Sequence, residues 1–159
     1  MKNTKLSKLV PNFIMDRFWD KNNNYAGGTL KEYAFWVLEV SYKQHTFGNF
    51  IVFCKRQGVE KISELLDEEL LELKKVFQEI ESALLQNETF KPVRFNYLQM
   101  GNKIHALHIH GIPRFDSEKM FLGKIWKDED FKVPPVWNYE EQSKDTVIAI
   151  RDEIKKFLK

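Results

Sequence analysis

Cysteine is nearly missing from this chain. Cys54 is the only one in 159 residues, which excludes an internal disulfide framework and any zinc site built from several thiolates. Long apolar runs are missing too. The opening segment MKNTKLSKLVPNFIMD never holds more than three apolar residues in succession, too few for a signal-peptide core. No stretch approaches the roughly 20 apolar residues that span a bilayer. An excess of one charge is also absent: 25 Lys and Arg against 23 Asp and Glu leave +2, which gives no electrostatic case for nucleic acid or an anionic membrane as main partner. The chain reads as soluble and cytoplasmic, with no membrane partner and no specific nucleic-acid partner.

Core material is abundant. Hydrophobic residues make up 43% of the sequence and include 13 Phe and 4 Trp, which excludes a disordered chain. At this length one domain can bury about two-thirds of its unfolded surface and needs no metal or disulfide to fold. No internal repeat and no linker divides it, so residues 1–159 read as one domain.

Residues 1–32 form a punctuated lead-in that ends in a loop at Gly27-Gly28. The aromatic and β-branched run Tyr33–Ser41 reads as a strand, and Phe50–Cys54 as a second, joined to it by the Gly-bearing turn His45–Asn49 into an antiparallel pair. From Ser63 the period changes. Leu66, Leu70, Leu73, Phe77, Ile80 and Leu84 recur every three to four residues, the apolar stripe of a helix over 63–86 that packs on the sheet, with Leu70, Leu73, Phe77 and Ile80 buried. Asp67, Glu68 and Glu69 complement the positive end of its dipole. Strands are expected at Val93–Leu98 and Ile104–Ile112, the latter stopped by Pro113. Residues 116–138 read as irregular but, given their aromatics, as lying against the body. A last helix is expected over about 139–158, with Val147, Ile150, Ile154 and Phe157 on one face. The fold class is α+β, an antiparallel sheet with a long helix across it and a C-terminal helix.

Three of the four His lie in KIHALHIHGIPRF. In a strand, alternation puts His108 and His110 on one face with Ala106, and His105 on the other. Two such His beside the Gly101-Asn102 turn fit two kinds of chemistry. A metal would want a third ligand, and neither a Cys pair nor a His-Glu-x-x-His helix is present, so no metal and no cofactor are expected. A neutral imidazole can instead attack phosphorus, with the turn's main-chain N–H groups and the Asn102 amide holding the phosphate oxygens.

These residues, Asn96-Tyr97, Gly101-Asn102 and His108-Ile109-His110-Gly111-Ile112-Pro113-Arg114-Phe115, resemble the histidine triad (HIT) family of nucleotide hydrolases and transferases. The likeness is closest to its dinucleoside polyphosphate hydrolase-like branch. It extends through Phe47–Val52 with Lys55-Arg56 upstream and Phe121–Asp128 downstream, covering about residues 33–130. The resemblance implies a HIT-like fold and a homodimer. It also implies a nucleotide or dinucleoside polyphosphate-like substrate and a nucleotidyl-histidine intermediate on His108. His110 would assist at the same phosphate, Gly101 and Asn102 would contact its oxygens, and Asn96 would brace the turn or touch the nucleotide. Arg114 would meet a phosphate or pair at the surface, and the position of the family's ribose contact falls near Val40–Tyr42, where no matching polar residue is identified. The sequence departs from the pattern at the first triad position, where Ala106 stands for His. That departure implies a slow enzyme or, alternatively, a catalytically weakened nucleotide-binding or interaction domain. The carbonyl of residue 106, which would fix the His108 tautomer, is retained.

Overall fold

The computed structural model describes residues 27–159, so the lead-in expected over residues 1–32 falls outside it up to residue 26. Among the described residues, seven strands and two α-helices follow one another: β1 (Thr29–Glu32), β2 (Trp36–Val40), β3 (Phe50–Cys54), α1 (Asp67–Gln86), β4 (Arg94–Leu98), β5 (His108–Arg114), β6 (Lys119–Phe121), β7 (Lys124–Trp126) and α2 (Lys144–Lys155). The first five strands make an antiparallel sheet in the order β1-β2-β3-β5-β4, and β6 and β7 form a separate hairpin. The architecture is the expected α+β arrangement.

Register sorts the side chains. Leu38 pairs with Val52 and Val40 with Phe50, and Val52 and Phe50 pair in turn with Ile109 and Gly111. These residues share the face that α1 and α2 cover. There Leu38, Val52 and Ile109 join Leu73, Val76 and Ile80 of α1 and Val147, Ile150 and Ile154 of α2 in one buried cluster. Gly111 is required here, because the Phe50 ring lies 2.1 Å from where a Cβ would sit. On the opposite face Glu39 pairs with Ile51 and Ile51 with His110, while Phe53 pairs with His108.

Several expectations need correction. The α1 stripe is rotated: Glu69, Leu73, Val76, Ile80, Ala83 and Leu84 are buried, whereas Leu70 is 41% exposed and Phe77 only half-buried against the Tyr97 ring. Glu69 is drawn inward because its carboxylate pairs with Arg56 and caps the Leu66 N–H, while its carbonyl accepts from Trp36 Nε1. The helix starts at Asp67; residues 62–64 form a separate 3₁₀ turn. The strand expected from Tyr33 starts at Trp36, since Glu72 accepts from the N–H groups of Ala34 and Phe35 and holds them in a turn. Ahead of that turn β1 occupies residues read as a loop.

Within 116–138, read as irregular, the β6–β7 hairpin turns at Leu122 and Gly123, both with positive φ. Its aromatics do lie against the body, with Phe121 and Trp126 around Phe47. The last helix is shorter than 139–158: Ser143 caps it by accepting from the Thr146 N–H, and Phe157 lies past its end, 40% exposed.

The histidine strand starts at His108 rather than Ile104, and Pro113 does not stop it. The Pro113 carbonyl points to the β3 side, where it accepts from Thr46 Oγ1 beyond the end of β3. A ring in place of an N–H therefore removes no ladder bond at that position.

Candidate active site

Alternation along β5 places the two histidines side by side on one face. Their rings are 5.3 Å apart edge to face, and the His108 ring stacks on Phe53, 5.4 Å away. They sit on the floor of a pocket of about 360 Å³ with Ile51 and Phe53. Met100, Gly101, Asn102, Lys103 and Ile104 close one end; Ser41, Tyr42, Lys43 and His45 from the β2–β3 connection form another wall. Gly101 has φ +70°, which suits glycine at this turn.

His108 Nδ1–H donates to the Ala106 carbonyl at 2.7 Å. That bond fixes the tautomer and leaves Nε2 with its lone pair. Ala106 thus contributes its main chain where it lacks an imidazole. Burial lowers the His108 pKa, only partly opposed by this bond. His110 is pushed down to about 3, first by burial and then by the neighbouring His108 and His45. Both rings are neutral at pH 7, the form in which an imidazole is a nucleophile.

The pocket therefore brings together His108, His110, Gly101 and Asn102. Asn96 is elsewhere: its carboxamide oxygen accepts from Arg114 Nη1 at 2.6 Å, and it lines a second cavity of about 790 Å³ with Pro134 and Pro135. Arg114 is 2% exposed, neither at the surface nor in the histidine pocket. It is gripped by Asp128 through Nε at 2.6 Å and Nη2 at 3.1 Å, and donates to the Asp130 carbonyl. His105 is exposed and precedes the strand, so strand parity does not govern it.

Sequence reasoning missed a wall of the pocket. The segment between β7 and α2 crosses the histidine face, with Trp137 5.0 Å from the His110 ring and stacked on His45 at 3.6 Å. It is tied down by the Asn138 N–H to His45 Nδ1, by the Gln142 N–H to the Tyr42 carbonyl and by a bridge between Lys43 and Glu141. No periodic pattern marks such a segment; its aromatics were the only signal. Lys43 and Lys103 add two cations to the lining. Among the described residues, no group of three or more His, Cys, Asp or Glu could hold a metal ion, and no helix is long and apolar enough to cross a membrane.

Comparison with known proteins gives a consistent picture. Residues 42–117 match the HIT domain. Over 96% of this chain and 99% of the other, the structure is similar to a histidine triad protein from Sinorhizobium meliloti, with 15% identity and a TM-score of 0.66. A histidine triad protein from Bradyrhizobium japonicum is similar over 82% of this chain and 90% of its own, at 14% identity and TM-score 0.58. The diadenosine triphosphate hydrolase of Plasmodium falciparum, solved with cyclomarin A, is similar over 82% of this chain and 75% of its own, at 15% identity and TM-score 0.57. At such identities the likeness is one of fold. No curated protein matches the sequence.

Proposed function

We propose that this chain, a protein with a HIT domain across residues 42–117, is a nucleotide-binding hydrolase or nucleotidyl transferase that acts at an α-phosphate. The observation that supports this reading is the His108 Nδ1–H bond to the Ala106 carbonyl, which leaves the Nε2 lone pair free in a ring that lines the same pocket as Gly101 and Asn102. In the proposed reaction the Nε2 lone pair attacks the α-phosphorus and the bond to the leaving oxygen breaks. Water or another acceptor then displaces His108 from the nucleotidyl intermediate. Gly101, Asn102, Lys43 and Lys103 would meet the phosphate oxygens, and His110 would donate a hydrogen bond to the same group. Asn96 would act on the site only through the Arg114 network it belongs to. A dinucleoside polyphosphate is the substrate class we favour, as the hydrolase of Plasmodium falciparum acts on one such compound. A homodimer in the cytoplasm completes the proposal, and light scattering that gave only a 19 kDa monomer at micromolar concentration would refute the dimer.

Ala106 favours a second reading, in which the protein binds nucleotides without turning them over. One experiment separates the two. Quenched mixtures with a dinucleoside tetraphosphate are examined by mass spectrometry for a nucleotidyl adduct on His108, alongside calorimetric titration with AMP and GMP. An adduct with multiple turnovers supports the enzyme, binding without adduct supports the second reading, and neither adduct nor binding removes both.

A further inference from the structure

His45 is absent from the triad signature and lies in the β2–β3 connection, yet its ring reaches the catalytic pocket. It stands 6.2 Å from the His110 ring in an edge-to-face arrangement, pressed against Trp137. Its Nδ1 accepts the Asn138 N–H at 2.8 Å, so when the ring is neutral its proton is on Nε2. Burial and then Lys43 lower its pKa to about 4, which keeps it neutral at physiological pH. That Nε2 is buried and without a hydrogen-bond partner, and so is His110 Nδ1. Two orphaned nitrogens on adjacent rings, one a donor and one able to accept, ask for an explanation, because buried polar groups in folded proteins are nearly always paired.

We infer that His45 is a positioning residue for His110: His45 Nε2–H donates to His110 Nδ1, which places the His110 proton on Nε2, toward the phosphate. The chain of donors then runs from the Asn138 main chain through two imidazoles to the substrate. A linear N–H···N bond sets imidazole centroids roughly 5 Å apart, so the rings close by about 1 Å, as catalytic hydrogen bonds commonly do only in the substrate complex. The two signature histidines thereby take opposite tautomers. His108 is held with its lone pair on Nε2 by a carbonyl, and His110 is held with its proton on Nε2 by His45. This deepens the proposed function and rests on it for the reaction, though not for the tautomer itself.

Two substitutions separate positioning from mere support. His45→Asn keeps an acceptor near the place of Nδ1 for the Asn138 N–H but has no donor at Nε2; His45→Gln reaches the Nε2 place with an amide N–H but loses the Nδ1 acceptor. We expect His45→Asn to lower kcat about 10–100-fold with KM changed less than threefold, and His45→Gln to recover at least tenfold of a 100-fold loss. Long-range ¹H–¹⁵N spectra of the wild-type imidazoles, with and without AMP, should show His110 protonated on Nε2, and the His45→Asn variant should show both tautomers. An Nδ1-protonated His110 in the wild type overturns the inference, as does an unchanged kcat in His45→Asn or a Gln variant no better than Asn. Should the wild type neither bind AMP nor form the His108 adduct, the proposed function falls while the spectra still decide the tautomer.

Discussion

On the helix-covered face, Leu38, Val40, Phe50 and Val52 are fully buried, and the one indole N–H among these strands' residues, on Trp36, has the Glu69 carbonyl as its partner. The other face of the sheet carries Glu39 from β2 and His108 and His110 from β5, which pairs with β3. The three buried polar atoms without partners among the described side chains, Glu39 Oε2, His45 Nε2 and His110 Nδ1, all belong to this second face or the loop beside it. One face is consistent at every level from periodicity to hydrogen bonding, and the other breaks the rule that buried polar groups are satisfied. The difference teaches where stability and where chemistry are held: the ladder is common to both, but the cost of unsatisfied groups is confined to the side with the pocket.

The sharpest way to separate the faces is His108→Ala. Turnover should fall on the order of 10⁴-fold or more and the adduct should vanish, while thermal stability and AMP affinity, measured by melting and calorimetry, change little. Next comes Ala106→His, which restores the imidazole of the first triad position that this chain lacks. If that absence limits the rate, kcat should rise by one to four powers of ten, the usual worth of a placed acid or base. On the opposite face, Ile80→Ala should cost about 2–5 kcal/mol in urea unfolding and leave kcat of the folded fraction nearly intact. An Ile80→Ala enzyme with normal stability and lost activity would blur the distinction altogether.

Acid and base should read the second face in opposite directions. His45, His108 and His110 all have folded-state pKa values below the unfolded 6.5, so their contribution to stability is complete above pH 6.5 and declines as pH falls below it; the His45 and His110 parts are lost toward about 4 and about 3. Glu39 is raised to about 8 by burial, with the Thr29 hydroxyl opposing. Its contribution is complete below pH 4.5 and is lost as pH rises through about 8. Melting temperatures taken from pH 4 to 9 should therefore peak near the middle of this range, and Glu39→Gln should flatten only the alkaline side. The rate should stay level somewhat below pH 6.5, since attack needs neutral His108. A rate that fell as soon as pH dropped below 7 would show the nucleophile's pKa is not depressed.

Much of this was legible in the sequence for a physical reason: period-two and period-3.6 patterns report which face is dry, and alternation put His108 and His110 on one face even though the bounds of their strand were misjudged. The rotation of α1 was not legible, because Glu69 counts as polar until Arg56 and the Trp36 indole are brought to it from elsewhere in the chain. Arg114 read as a surface or phosphate residue until Asp128, fourteen positions on, enclosed it. His45 was passed over as a strand breaker, since its partner at Asn138 is 93 residues away and no local pattern records such a pairing.

The pocket wall at Trp137 and Asn138 bears on how separable the domain is. The family match ends at residue 117, yet the wall, the Asp128 clamp and α2 all come from residues beyond it. A fragment cut at the family boundary would keep His108 and His110 and lose the side of the pocket that covers them. In this chain the family match and the pocket have different edges, and transplanting the pocket would mean moving the crossing segment along with the signature.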